Sequence, residues 1–506
     1  MTMKEMLILR DSGFFWAAML AVAAVHAAGV PAVASSSADV VKVGVIGGGL
    51  GGSSAAYFLR DAWKDPNRTL DITFVTDNTT GRTRSVGVGG QMFEEGGSVI
   101  HPKNLYMKAF VERVAHTSEL TGGEGNGFTG IIEKEGFFFF TTDHPLEDKL
   151  RLAMRYGLSI LRIEEIVDKM LKRFESIYGL QDSGKAFKTV ADMLNAMDPS
   201  GDFLNMTRMS GRDYMKAHHI SDEAIRELVS VATRINYNQD PDEMTAFPTL
   251  VSLAGSQDGL FSVKGGNCRV AEGLRNMSGA GSPTGSFVTS IQRIANGAAG
   301  SKPVYNVTTR DLATNALSST IFDALVLATP LQDSGITLID FPRAAPLPAC
   351  CIEYRTVYVT FVKGMPRPEF AHLPSSLNGT RYPDLVATLP STDMLFTCIG
   401  RESTVSGEPV HGDPVWKLFS QVQLTDAHIN EVFEKVDHVY HGESGEVSHK
   451  WLAYPQYGAG PEEFLPFLLD DALAYTSTIE WVASAMEMSV ISGRNAALLL
   501  HNALHG

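Results

Sequence analysis

The chain has 506 residues, 44% of them hydrophobic and only 20% charged, a balance that excludes a disordered polypeptide and leaves room for two or three joined domains. Against 57 Asp and Glu stand 42 Lys and Arg, a formal net charge of −15, so the surface repels phosphate backbones and speaks against nucleic acid as a partner. The four cysteines, Cys268, Cys350, Cys351 and Cys398, show neither metal-ligand nor CxxC spacing; one long-range bridge stays open, a disulfide framework is excluded and no metal ligand is expected.

Residues 14–25 form an apolar run preceded by Lys4 and Arg10 and followed by small residues. This reads as a signal peptide of residues 1–27, with cleavage near Ala27 or as late as Ala34. A spanning helix needs roughly 20 apolar residues, and this run is bounded by Asp11 and His26. Six N-x-Ser/Thr sequons, at Asn67, Asn78, Asn205, Asn276, Asn306 and Asn378, agree with a route through the secretory pathway.

Residues 41–46 read as a strand, 47–52 as a glycine turn and 55–59 as part of a helix, with a second strand over 72–75. The turn, Gly47-Gly48-Gly49-Leu50-Gly51-Gly52, is a G-x-G-x-x-G. Gly47 permits the tight bend, Gly49 lets backbone approach a pyrophosphate, and Gly52 lets helix and strand pack closely. The helix start adds amides and partial positive charge for the phosphates. The second strand should end in a ribose-binding acid, but Val75 stands there. Asp77 follows slightly late and reads equally well as a ribose ligand or as a solvated turn residue.

Gly81-Arg82 and then Phe93-Glu94-Glu95-Gly96-Gly97-Ser98 come next. An arginine that meets a pyrophosphate, followed by a glycine turn that admits a flavin ring, favours FAD over NAD. Between His101 and roughly Ile225 the pattern is helical. Ala153, Tyr156, Ile160, Ile163, Val167, Met170, Phe174 and Ile177 lie three and four apart, one apolar stripe on one long helix. The stripe reads first as core packing, with a helix resting on a membrane surface as the alternative suggested by the nearby Arg and Lys residues. The run 137–140 reads as a buried strand, and strands return at 287–294 and 322–328. A second insertion covers 331–448, and the tail from 484 to 504 is helical. Residues 480–487 read as the start of that helix, with its N-terminal dipole placed to stabilise charge at flavin N1.

Gly96-Gly97-Ser98-Val99-Ile100-His101-Pro102, Arg234-Ile235-Asn236-Tyr237, Gly265-Gly266-Asn267, Ala328-Thr329-Pro330-Leu331, Trp451-Leu452-Ala453-Tyr454-Pro455 and Ala483-Ser484-Ala485-Met486-Glu487 together resemble the prenylcysteine oxidase family, also called farnesylcysteine lyase. This family belongs with the flavin amine oxidase-like flavoproteins. The matches run in order across nearly the whole mature chain, with Arg155-Tyr156-Gly157 inside the helical insertion.

The resemblance implies an α/β fold: a discontinuous Rossmann-like FAD-binding domain (40–105 with 226–330 and 449–504) and an inserted α+β substrate domain (106–225 with 331–448). It places FAD contacts at Gly47, Gly49, Gly52, Arg82, Gly97, Ser98, Val288, Glu480, Ser484 and Met486, beside Asp77 as the substitute ribose ligand. Two departures stand out: the family's acidic ribose ligand aligns with Val75, and its Gly-Gly-Arg has become Thr80-Gly81-Arg82. The implied reaction cleaves free prenylcysteine with O2 and water to cysteine, a prenyl aldehyde and hydrogen peroxide, in a lysosome or vacuole or outside the cell. His101 is the candidate for positioning the water, with a structural histidine bonded to backbone as the plainer reading. Tyr454 and Tyr457 are candidates for walling the flavin face. Competing readings are an inactive, lipid-binding relative and a flavin oxidase of amines or polyenes.

Overall fold

The computed structural model describes residues 40–77, 79–114, 129–133, 136–140, 145–257, 259–281, 283–295, 302–332, 334–342, 353–367, 382–390, 394–440 and 449–505. The signal-peptide reading, the sequons at Asn78 and Asn378, and Cys350 and Cys351 lie outside the described residues. Among the described residues, contacts set 40–41 with 65–69 in a small unit and the rest in a large one. In the small unit the Asp65 carboxylate accepts from Asn67 N at 2.8 Å and from Arg68 Nε at 2.7 Å, closing a turn.

A five-stranded sheet carries the glycine turn, in the order Leu468–Asp470, Leu473–Tyr475, Ala324–Leu327, Val40–Ile46, Thr69–Val75. Its centre is parallel, with Ile46 opposite Leu327 and Leu327 opposite Tyr475. All four residues of Ala324–Leu327 are buried. An uninterrupted apolar run of this kind marks a strand covered on both faces. The helices Leu50–Ala62 and Met486–His505 pack against each other with almost no side chain between them. A methyl group at Gly493 would stand 2.1 Å from Ser54 Oγ. The last helix is therefore locked onto the first.

A four-stranded sheet, ordered Thr337–Ile339, Ser286–Ile294, Val304–Asp311, Leu317–Phe322, lies beside this core in sequence. Its entry is tied to the second strand of the core, because Thr284 N donates to Phe74 O at 3.1 Å and Ser286 N to Thr76 O at 3.3 Å. The largest sheet joins the two insertions. Tyr354–Pro366 pairs with Val415–Ser420 on one side, and with His449–Pro455 and Phe433–Val439 on the other. Thr129–Glu133 joins Leu385–Thr388 in parallel and Gly136–Phe140 antiparallel, as the apolar pattern of 137–140 anticipates.

The predicted single long helix is three: Pro145–Tyr156, Ser159–Phe174 and Ser176–Asp182. Gly157 stops the first at φ +55°, a left-handed position that a β-carbon disfavours, while its N–H still bonds Ala153 O at 2.9 Å. Most of the apolar stripe is buried, with Tyr156, Ile163, Val167, Met170 and Ile177 in one cluster with Phe247 and Leu250, but its first member, Ala153, is exposed. Cys268 and Cys398 are free thiols, so neither forms the bridge left open by the sequence.

Candidate functional site

The glycine turn behaves as its spacing demands. Gly47 sits at φ +106°, and a methyl group on it would approach Ala328 O to 2.8 Å. At Gly52 a methyl group would lie 2.1 Å from Gly47 O and 3.0 Å from Val45 Cγ1, so the helix can meet the strand only through glycine. Gly49 differs: its nearest protein atom on that side is Thr80 O at 3.4 Å, an ordinary contact. Gly49 also starts the helix Leu50–Ala62, which has neither a side-chain cap nor an acid in its first turn. Its amides and dipole are left for an anion.

Asp77 is exposed, and one oxygen, Oδ1, accepts from Thr79 N at 3.1 Å, Thr79 Oγ1 at 2.8 Å and Thr76 Oγ1 at 3.1 Å. The carboxylate thus shapes the turn that lies over Gly48. Val75 is buried at the strand end, and Val288 is buried in Ser286–Ile294, whose entry bonds to 74–76.

Arg82 and Glu480 meet in a two-pronged ion pair, Nη1 to Oε2 and Nη2 to Oε1, both at 2.6 Å. Arg82 Nη1 also donates to Ala453 O at 2.9 Å and reaches Ser484 Oγ at 3.5 Å. Tyr354 Oη donates to Glu480 Oε2 at 3.0 Å. Burial works against the arginine's charge, but Glu480 outweighs it and holds the guanidinium firmly protonated. Burial and the same carboxylate raise the Tyr354 phenol well above its ordinary value. Glu480 is not at the start of the last helix, as the sequence suggested. It lies in a 3-10 turn, Ser477–Trp481, and the helix begins only at Met486. The intervening small residues take a non-helical path in which Ser484 N donates to Tyr457 Oη at 2.9 Å and Ser484 O accepts from Tyr237 Oη at 3.0 Å.

Gly97 lies alongside Arg82, donating from its N–H to Arg82 O at 2.9 Å. Its other side faces Met486, whose Sδ would stand 3.4 Å from a methyl group on Gly97. The segment is held from behind by fully buried Asn267, whose Nδ2 donates to Gly97 O at 2.8 Å and Ser98 O at 3.0 Å. Asn267 N donates to Glu94 Oε1 at 2.5 Å. From the large sheet, buried Lys417 reaches Ser98 Oγ at 3.1 Å, Glu94 O at 3.0 Å and Glu402 at 3.1 Å. Burial pushes the Glu94 carboxyl up to about 7, against the opposing pull of Asn267 N–H and Lys417. Neither Lys417 nor Asn267 stands out as a site residue in the sequence, because one is a lone lysine in a strand and the other only ends a glycine motif.

Of the two readings of His101, its geometry fits the plainer one, a histidine bonded to backbone. Its Nδ1 accepts from Lys103 N at 3.1 Å and its Nε2 faces Gln257 Oε1 at 3.1 Å, so both ring nitrogens are engaged in holding a turn. Burial lowers its pKa, which suits a neutral ring with the proton on Nε2. A second histidine stands at a cavity of about 310 Å³ lined by Gly81, Arg82, Tyr354, His449 and Trp451 among others. His449 Nδ1 lies 2.5 Å from Glu95 Oε1; Glu95 is fully buried, and its other oxygen is 3.1 Å from Arg84 Nε. The indole N–H of Trp451 is buried with no hydrogen-bond partner among the described residues. A buried donor of this kind calls for an acceptor. Tyr454 and Tyr457 are packed around Tyr237, with ring centroids at 5.2 and 5.5 Å.

Three comparisons bear on this site. Residues 139–506 match the model of the family described as prenylcysteine lyase, and residues 45–114 match that of an NAD(P)-binding Rossmann-like domain. The chain is 33% identical over 491 residues to prenylcysteine oxidase 1 of Homo sapiens, covering 94% of this chain and 92% of that protein. It is 34% identical over 476 residues to farnesylcysteine lyase of Arabidopsis thaliana, covering 90% and 87%. Among solved structures, a putrescine oxidase variant superposes with a TM-score of 0.55 at 13% identity, over 92% of this chain and all of that one. Cyclohexylamine oxidase from Brevibacterium oxydans IH-35A gives 0.55 at 15% identity over the same shares. These last two likenesses establish an amine oxidase-like fold over 92% of this chain.

Proposed function

The chain belongs to the prenylcysteine lyase family, and from this premise we propose that it is an FAD-dependent oxidase of free prenylcysteine. The observation that carries the cofactor reading is convergence: Gly47–Gly52, Arg82, Gly97 and Met486, from opposite ends of the chain, are drawn together around one site. The residues suit a flavin dinucleotide. Gly49 leaves its side open to a diphosphate, the uncapped helix start faces the same place, and Trp451 offers a buried N–H without an acceptor. Residues 40–105, 226–330 and 449–504 serve as the cofactor-binding part, and 106–225 with 331–448 as the substrate-binding part.

FAD, when bound, would supply a two-electron acceptor for the hydride at C1 of the isoprenoid, with O2 as the final acceptor. The protein's own task is to bind, orient and manage water and protons. The turn at 47–52 and the helix start would hold the diphosphate, with the Arg82–Glu480 pair beside them. Gly97 and Met486 meet closely because Gly97 carries no β-carbon, which joins the two segments on one side of the site. Water added at C1 must lose a proton before the hemithioacetal collapses to aldehyde and cysteine. We assign that proton to His449, whose ring is oriented by buried Glu95 and borders the cavity; His101 is left to hold its turn.

Purified protein should show the visible bands of oxidised flavin and release hydrogen peroxide with farnesylcysteine but not with simple amines. A colourless protein that stays colourless after FAD is added would instead favour a lipid-binding relative, the reading to which the committed Asp77 carboxylate and apolar Val75 lend weight. The exposed sequon residues Asn67, Asn205 and Asn276 support a route through the secretory pathway to a lysosome or vacuole.

A further inference from the structure

Half-buried Arg355 is a cation without a counter-ion. Its Nε is buried with no hydrogen-bond partner, and no ion pair or hydrogen bond ties the rest of its guanidinium among the described residues. A guanidinium cannot shed its proton, and a charge withdrawn from water without a match is costly. The other charges around the site are matched. Arg82 holds Glu480, Lys417 lies 3.1 Å from Glu402, and Arg234 lies 3.2 Å from Asp240. Glu353, two residues back on the chain, is exposed and forms no ion pair with Arg355 among the described residues. What the position lacks is an anion from outside the chain.

The strand directs this side chain. Tyr354 donates to Glu480 on one face of the large sheet, so Arg355 leaves the strand Tyr354–Pro366 on the other. Arg355 is paired with Tyr454, and the register slips immediately after the pair, a bulge of the kind that re-aims a side chain beside a site. Burial raises the Tyr454 phenol, and the charge of Arg355 opposes that rise. Tyr454 Oη makes no hydrogen bond among the described residues. Its ring packs edge-on against Tyr237, which donates to Ser484 O, two residues before Met486. An unmatched cation and an unmatched phenol thus stand together next to the segment that closes on Gly97. We infer that Arg355, with Tyr454 beside it, binds the α-carboxylate of the substrate's cysteine head. A carboxylate offers two coplanar oxygens to the guanidinium fork, and it is the one anionic group on free prenylcysteine. The inference rests on the proposed prenylcysteine reading, and it makes the site discriminate against carboxyl-blocked forms.

The test titrates the full chain by calorimetry with S-dodecylcysteine, which lacks the allylic double bond that eases hydride loss, and with its methyl ester. Wild type should bind the acid about 10- to 100-fold more tightly than the ester. Arg355→Gln should bind both about as wild type binds the ester, and Arg355→Lys, which keeps the charge but not the fork, should fall between. Both variants should melt as wild type does, because Arg355 makes no bond that the fold would lose. With farnesylcysteine, Arg355→Gln should raise KM in the same ratio and leave kcat within a few-fold. Equal binding of acid and ester by wild type, or a preference kept by Arg355→Gln, overturns the inference; so does a wild type that binds neither. Peroxide released from farnesylcysteine and from its methyl ester at the same KM sinks the inference and leaves the proposed reaction standing. A carboxylate preference that depends on Arg355, without any peroxide, does the reverse.

Discussion

Two glycines three positions apart do different work, and substitution separates them. A methyl group at Gly52 collides with Gly47 O, whereas one at Gly49 meets protein only at 3.4 Å. Gly52→Ala should therefore cost about 3 kcal/mol of stability, measured by chemical denaturation. Gly49→Val should melt close to wild type yet lose flavin absorbance on gel filtration; a coloured Gly49→Val protein would remove the diphosphate from this turn. His449→Ala and Glu95→Gln should each lower turnover about a hundredfold, whereas His101→Ala should leave turnover within a few-fold of wild type. These histidines also show where sequence reading stops. His101 is conspicuous because it follows the glycine turn, but the backbone folds its ring into a local cap. His449 gains its role only when a strand some 350 residues from Glu95 is laid beside it, and no local pattern announces that.

At the scale of elements, periodicity located what local physics determines. The strand–turn–helix at the start, the strands near 287 and 324 and the final helix all have short-range signatures, and each is found within a few residues of its expected place. The division of the long helix was missed because the apolar stripe runs through Gly157 without losing phase. The late start of the last helix was missed because small residues fit a helix and an irregular turn equally well. Tertiary bonds decide that second case, with Tyr457 and Tyr237 capturing the backbone of Ser484. Asn267 acts similarly on the Gly97 turn. Asn267→Ala would strand the carbonyls of Gly97 and Ser98 together with Val263 N–H. It should cost about 3 kcal/mol and speed FAD release, read by denaturation and by the rise of free-flavin fluorescence.

For the whole molecule, two buried carboxyls set a pH preference. Glu94 and Glu487 are each pushed up to about 7, chiefly by burial. Glu487 holds the start of the helix Leu105–Val114, accepting from Tyr106 N and Met107 N at 2.9 Å and from Tyr178 Oη at 2.8 Å. A carboxyl whose folded value lies above its unfolded one stabilises fully below the unfolded value of about 4.5 and loses that contribution as pH rises through about 7. The gap in melting temperature between pH 5 and pH 8 should therefore shrink in Glu94→Gln and in Glu487→Gln, by the equivalent of at most about 3 kcal/mol each. An unchanged gap would mean that these carboxyls are ionised across the whole range. Such a preference suits an acidic compartment, the destination proposed above.

The closure of the last helix onto the first has a temporal meaning. A ribosome releases Gly47 long before Met486, yet Ser54 and Gly493 touch, and Gly97 waits for Met486. The site is thus incomplete until the segment that carries Met486 and Gly493 has been made. A premature stop anywhere between Gly52 and the final helix leaves a chain that carries the whole glycine turn without the segment that closes on it.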